Sequence, residues 1–268
     1  MVRNAVSIID YFSLETAFAA EFRRLLYNLQ HGAKDRELKA IMVTSSMLSE
    51  GKSTITSLLA ITAARKGNKT IIIDSDLRRP VIHKLFGMER NRGVHEILAE
   101  DLPAKNAIKK TSLANLDVIT AGKISAHPAE VFNGPAIGRL IEEMKFYYDL
   151  IFVDSAPIIP VSDPLFVAQE VDGVALVVKA GETQREVVHR AVDILKSNGF
   201  GLLGVILNNM TSSLPYYYDY SYYGYHYDQK PPGLNGDKKE KRARGRNDKS
   251  PGNKDKDTDR DKIPSEEK

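Results

Sequence analysis

The sequence predicts an α/β domain built on a doubly wound, mostly parallel sheet, and three observations carry that expectation. Short apolar runs recur along the chain: Ile41–Val43, Lys69–Asp74 (KTIIID), Leu150–Asp154 (LIFVD), Gly173–Lys179 (GVALVVK) and Leu202–Asn208 (LLGVILN). Runs without polar alternation belong to strands buried on both faces. Helical patterns separate the runs, which is the alternation that yields a parallel sheet covered on both sides. Two of the runs end in aspartate, and ligands of such sheets sit at the carboxyl ends of the strands.

Taken in order, residues 1–12 read as unstructured or loosely docked. From Leu14 to Gln30 apolar residues recur at spacings of three and four (Phe18, Phe22, Leu25, Leu26, Leu29). This spacing predicts an amphipathic helix that packs on the body or on a neighbouring subunit. His31–Leu38 is a linker into the first strand. Lys52–Lys66 has helical spacing, with Gly67 as its C-cap. Asn91–Glu100 suggests a short helix, Leu116–Thr120 a strand and Pro128–Tyr148 a helical region. Gln184–Ser197 is the helix between the last two strands.

Composition bounds the possibilities. The 268 residues, 42% of them hydrophobic, suffice for one sizeable α/β core plus extensions. The sequence has no cysteine, which excludes disulfides and thiolate metal sites. There is no apolar run of the ~18 residues a membrane span needs, and charges throughout Met1–Gln30 leave no room for a signal peptide. A cytoplasmic protein is expected. Thirteen Lys/Arg and nine Asp/Glu lie between Lys230 and Lys268; subtracted from totals of 38 and 35, this leaves the body at 25 against 26. The body is therefore near neutral, and no nucleic-acid-binding face is expected on it.

The chain divides into an N-terminal helix and linker (1–36), a core domain (37–212), a tyrosine cluster (213–228) and a charged tail (229–268). The tail is rich in Lys, Asp, Gly and Pro and almost free of apolar residues, a composition that predicts disorder.

The stretch Ile41–Thr54, IMVTSSMLSEGKST, joins an apolar strand to a helix through a loop ending in Gly-Lys-Ser. This is the arrangement that cradles phosphate. Backbone N–H groups of Ser49, Glu50, Gly51, Lys52, Ser53 and Thr54 converge on one spot, where the helix dipole favours negative charge. Lys52 adds a point charge for the β- and γ-phosphates, and the Ser53 hydroxyl can ligate Mg²⁺. The first glycine of G-x-x-x-x-G-K-[ST] is Ser46 here, and Met47–Glu50 contains no glycine.

Two further motifs complete the candidate site. IIIDSDLRRP contributes Asp74 and Asp76, followed by Arg78 and Arg79; LIFVDSAP contributes Asp154. Mg²⁺ takes oxygen ligands, and Asp154 at the end of a buried strand is placed to supply one. Asp74 or Asp76, on the adjacent strand, could orient or deprotonate an attacking hydroxyl. Arg78 and Arg79 are open to phosphate, a partner chain or a surface salt bridge. His83, His95 and His127 lack metal-ligand spacing.

Eight of the 12 tyrosines fall within one stretch: Tyr216, Tyr217, Tyr218, Tyr220, Tyr222, Tyr223, Tyr225 and Tyr227. Stacking on single-stranded nucleic acid wants interleaved cations, and between Tyr216 and Tyr227 there is no Lys or Arg. A mobile substrate segment fits better. Each phosphorylation adds about −1.5 to −2 charges, so several would repel one another and could disassemble an oligomer or release a partner.

TSSMLSEGKST, IIIDSDLRRP, LIFVDSAP and the tyrosine cluster together resemble the bacterial tyrosine kinases of capsular and exopolysaccharide biosynthesis. That family is related to the MinD/ParA P-loop ATPases, and the likeness spans roughly residues 14–228. The resemblance implies a MinD/ParA-like P-loop NTPase fold in which Lys52 binds phosphate, and Ser53 and Asp154 hold Mg²⁺. Asp74 and Asp76 would serve metal binding and hydroxyl activation, with Asp74 counted among the metal ligands. The cluster tyrosines would be phosphorylated by a neighbouring subunit of a homo-oligomer. It also implies a membrane-embedded adaptor (chain-length) protein, a cognate phosphotyrosine phosphatase, and residence at the inner face of the plasma membrane. Two departures stand out. Leu48-Ser49 replaces the usual Pro-Gly, so Ser49 must adopt a backbone conformation that glycine accepts more easily. In the helix pattern E-x-x-R-x-x-R, Glu21 and Arg24 match while the third position is Tyr27.

The expected activity is ATP-dependent autophosphorylation on tyrosine that regulates polysaccharide synthesis and export. A MinD/ParA-like ATPase switch and a catalytically weak regulatory binding module are the alternatives. Phosphotyrosine separates the kinase from the switch, and Mg·ATP affinity separates the module from both.

Overall fold

In a computed structural model, residues 7–12, 16–32, 37–125, 127–132 and 134–209 are described. The elements run α1 (Ile8–Tyr11), α2 (Ala17–His31), β1 (Ala40–Ser45), α3 (Lys52–Arg65), β2 (Thr70–Asp74), α4 (Ile82–Leu85) and α5 (Val94–Ala99). There follow β3 (Lys109–Lys110), β4 (Leu116–Ile119), α6 (Pro128–Val131), α7 (Ala136–Tyr147), β5 (Leu150–Asp154) and α8 (Asp163–Ala168). Then come β6 (Gly173–Lys179), α9 (Arg185–Ser197) and β7 (Leu202–Asn208). The tyrosine cluster and the charged tail lie outside the described residues.

The strands form one sheet in the order β3-β4-β2-β5-β1-β6-β7. All neighbours are parallel except the two-residue β3, which pairs antiparallel with β4. β1, β2 and β5 are buried at every position, because helices cover both faces. On one face Met42, Ile71, Ile73, Ile151 and Val153 pack against α5 to α9. On the other, Ile41, Val43, Ile72 and Phe152 pack against α3, with α2 stacked outside it. Helix α3 is therefore buried nearly all round, which explains why its apolar residues show no single stripe.

Residues 7–12 are more firmly attached than the sequence suggested; residues 1–6 lie outside the described residues. Ser7 and Asp10 close a capping box around α1, and Ile9 and Phe12 are buried. The Arg65 guanidinium donates to the carbonyl oxygens of Phe12 and Ile9 and lies over the Phe12 ring. The predicted helix from Leu14 is seen from Ala17, capped by the Thr16 hydroxyl, and it packs on α3 of its own chain. Glu21 and Arg24 pair with each other at 3.1 Å, and Tyr27 is exposed. The predicted helical region Pro128–Tyr148 is two helices, because Gly134 (φ 118) and Pro135 interrupt it. Leu26 is fully buried between α2 and the body. Leu26→Ala is expected to lower the unfolding free energy by about 2–5 kcal/mol, which a urea midpoint measurement would read.

Candidate functional site

Parallel pairing places the carboxyl ends of β1, β2 and β5 side by side, with Asp74 opposite Asp154 in register and Val43 opposite Asp154. The loop after β1 therefore opens beside both aspartates. At its end Gly51 adopts φ 94 and caps α3. A Cβ there would lie 2.2 Å from Asn208 Nδ2, so both space and backbone require glycine. Ser49 sits at φ 63, the left-handed conformation its replacement of glycine predicts, at a cost of about 1–2 kcal/mol. The first intrahelical bond runs from Ile55 N to Gly51 O. The N–H groups of Lys52, Ser53 and Thr54 thus form the open first turn, a ready anion site.

Four charges are buried together beneath this turn. Lys52 Nζ is 2.9 Å from Asp76 Oδ2 and also donates to Ser53 Oγ at 3.3 Å. Ser53 Oγ donates to Asp154 Oδ2 at 2.6 Å, and Thr56 Oγ1 approaches Asp154 Oδ1 at 3.4 Å. Asp74 Oδ1 accepts from Asp76 N at 3.2 Å, and Asp76 Oδ1 accepts from Arg79 N at 2.9 Å. Asp74 Oδ2 has no hydrogen-bond partner although it is fully buried. The Ser46 hydroxyl, at the position of the missing first glycine, is also buried without a partner.

One ammonium facing three carboxylates leaves the cluster short of positive charge. Burial pushes the Asp154 carboxyl up to about 6, against the pull of Lys52 and the Ser53 bond, and Asp76 adds to the rise. Burial, then the charges of Asp154 and Asp76, hold Asp74 well above the usual carboxylate range. Burial alone would lower Lys52, but Asp154, Asp76 and Asp74 outweigh it and raise it. A hard divalent cation suits this all-oxygen surplus of negative charge. Among the described residues no group of three or more His, Asp or Glu side chains forms a protein-only metal cage. Mg²⁺ needs none, since it is usually held by one or two carboxylates, substrate phosphates and water.

The structure brings Lys52, Ser53, Asp74, Asp76 and Asp154 together. The Glu50 carboxylate accepts from Met47 N at 2.8 Å and from the Thr183 hydroxyl, so its backbone N–H is the group left to face an anion. Thr54 is exposed, and its N–H belongs to the open first turn of α3. Arg78 forms a two-point ion pair with buried Asp163, at 2.6 and 3.1 Å, which ties the loop after β2 to α8. Arg79 is exposed. The eight cluster tyrosines lie outside the described residues. Thr56, Thr183, Asn208 and Asp163 escaped the sequence reading, because nothing in their neighbourhoods marks them.

A strand, a phosphate-type loop and two further strand-end carboxylates on a parallel sheet define a P-loop NTPase. Residues 38–220 match the ParA family model, described as NUBPL iron-transfer P-loop NTPase. Within that class the chain belongs to the bacterial tyrosine-protein kinases. It is 32% identical over 224 residues to tyrosine-protein kinase YwqD of Bacillus subtilis, covering 84% of this chain and 92% of that one. It is 31% identical over 208 residues to putative tyrosine-protein kinase CapB of Staphylococcus aureus, covering 76% and 91%. The kinase domain of Escherichia coli tyrosine kinase ETK superposes with a TM-score of 0.70 at 28% identity, over 78% of this chain and 82% of that one. Among the described residues no helix is long and apolar enough to cross a membrane.

Proposed function

We propose that this protein is an ATP-dependent tyrosine autokinase that phosphorylates its own cluster, Tyr216 to Tyr227, in a neighbouring copy. The observation that carries the reading is the buried Lys52–Asp76–Asp74–Asp154 group at the mouth of the phosphate loop, in a chain that carries eight clustered tyrosines between Tyr216 and Tyr227. The open first turn of α3 and Lys52 hold the phosphates of ATP. Ser53 and Asp154 are the residues that would hold Mg²⁺, which leaves Asp74 to take a proton. When bound, the ion neutralises charge developing on the transferred phosphoryl group.

In the reaction a tyrosine oxygen forms a bond to the γ-phosphorus while the bond to the β–γ bridging oxygen breaks, and ADP leaves. The phenolic proton passes to Asp74, whose Oδ2 is the carboxylate oxygen without a hydrogen-bond or ion-pair partner. Asp76 is already engaged by Lys52 and by Arg79 N. Positioning and electrostatics supply the rate. Control of polysaccharide synthesis and export, a membrane-embedded adaptor, a cognate phosphatase, a homo-oligomer and residence at the inner membrane face complete the proposal, supported by the motif resemblance and the kinship with the bacterial tyrosine-protein kinases.

Intact mass of the full chain after incubation with Mg·ATP tests the activity. Increments of about 80 Da per phosphate, the mass the phosphoryl group adds, are expected on Tyr216–Tyr227 and should be absent in Lys52→Met. ATP consumption without added mass, even with a candidate adaptor peptide present, would sink the kinase reading in favour of an ATPase switch. Absence of Mg·ATP binding would leave the binding-module reading.

A further inference from the structure

The nucleotide loop has lost the glycines that normally let such a loop close around phosphate. Ser46 takes the first glycine position, Ser49 is held at φ 63, and only Gly51 remains. A loop with these residues needs something outside itself to hold it in shape.

Two side chains from the other side of the sheet do so. Thr183, in the turn between β6 and α9, donates its hydroxyl to Glu50 Oε1. The other oxygen of the same carboxylate accepts from Met47 N at 2.8 Å, so the loop is closed across its own base and then fastened to β6. Asn208, the last residue of β7, donates Nδ2 to Glu50 O at 2.9 Å and accepts from Asn209 N at 2.9 Å through Oδ1. Its amide occupies the space a Cβ on Gly51 would need. Asn208 O in turn accepts from Ala180 N at 2.9 Å, and Thr183 N donates to Lys179 O at 3.0 Å. The two anchors are thereby locked to each other through the end of β6.

We infer that Thr183 and Asn208 are positioning residues for nucleotide binding: by fixing Glu50 they hold the glycine-poor loop in its phosphate-cradling form. Neither side chain touches the Lys52–Asp154 cluster, and both act through Glu50. The inference rests on the nucleotide-site reading above.

Calorimetric titration of the full-length chain with Mg·ADP, beside thermal unfolding without nucleotide, tests it. Thr183→Val keeps the shape of the side chain and removes the donor; Asn208→Asp keeps the shape and replaces the donor with an acceptor. Losing one bond to a charged or tightly held acceptor is expected to weaken Mg·ADP by about tenfold or more in each variant. Thr183→Ser, which keeps the hydroxyl, should restore the affinity. In kinase assays Thr183→Val should raise KM for ATP more than it lowers kcat, because the cluster that performs the transfer is intact. Wild-type affinity in both variants overturns the inference, and so does a fall in thermal midpoint with affinity unchanged, since that is what a purely structural bond would give. If the wild-type chain itself fails to bind Mg·ADP, the nucleotide reading fails, and the inference with it; if only the variants' weakening is absent, the nucleotide reading stands and the clamp alone is wrong.

Discussion

Lys52→Met is expected to abolish phosphoryl transfer and, separately, to destabilise the fold. The transfer loss should be on the order of a thousandfold, the scale seen when a preorganised charge or donor is removed from a site where negative charge develops. The stability loss has a different origin. Lys52 is the ammonium set among the buried carboxylates Asp74, Asp76 and Asp154, and methionine leaves them uncompensated. Removing one partner of a buried ion pair costs about 3–5 kcal/mol, far more than the methionine regains by burying its thioether. The pH dependence follows from the sign of the carboxylate shifts. Asp74 and Asp154 already lie above their unfolded values, so between those values the native state binds more protons than the unfolded state, and stability falls as pH rises. Without Lys52 both should rise further. The gap between wild type and variant should therefore widen from pH 5 to pH 7.5 in urea unfolding. Equal stabilities at both pH values would show that Lys52 does not compensate the cluster.

Most of this site was legible in the sequence, for a reason visible in the burial. β1, β2 and β5 are covered on both faces, so each appears as an unbroken apolar run, and a carboxylate at the end of such a run is conspicuous. What closes the loop was not legible. Thr183 and Asn208 lie 133 and 158 residues from Glu50, and no local pattern links a threonine in a turn or an asparagine at a strand end to a distant glutamate. Short elements escaped for another reason. α1 and α4 have four residues each, α8 has six and β3 two, too few for periodicity to emerge. The attachment of residues 7–12 depends on Arg65 reaching carbonyl oxygens more than fifty residues back, again a contact that only the tertiary fold creates. The left-handed backbone at Ser49 was foreseeable, because a motif position that normally holds glycine keeps its φ when the glycine is replaced.

Asp74→Asn and Asp76→Asn should separate the two aspartates that the sequence left interchangeable. Asp74 is fully buried, and its Oδ1 accepts from Asp76 N while Oδ2 is unpartnered. Asparagine keeps the accepting oxygen and removes a charge repelled by Asp154 and Asp76. Each unit by which a carboxyl is raised on folding costs about 1.4 kcal/mol at a pH above both of its values. Asp74 is raised well above the usual range by burial first and by those two charges next. Asp74→Asn should therefore stabilise the nucleotide-free protein wherever the native carboxylate is ionised, and the gain should shrink as pH falls and that carboxyl takes up its proton. Transfer to tyrosine should meanwhile fall by about 10²–10⁴, the range for loss of a positioned proton acceptor. The opposite sign is expected at Asp76, which stands 2.9 Å from Lys52 Nζ. There the charge is used, and Asp76→Asn should destabilise at every pH where the carboxylate is ionised. A site that carries an unpaired carboxylate at the expense of its own stability is a site shaped by its chemistry. Thermal midpoints of the two variants at pH 5 and 7.5 decide the matter: if Asp74→Asn unfolds more readily than wild type at pH 7.5, or retains full transfer, the proton acceptor lies elsewhere in the cluster.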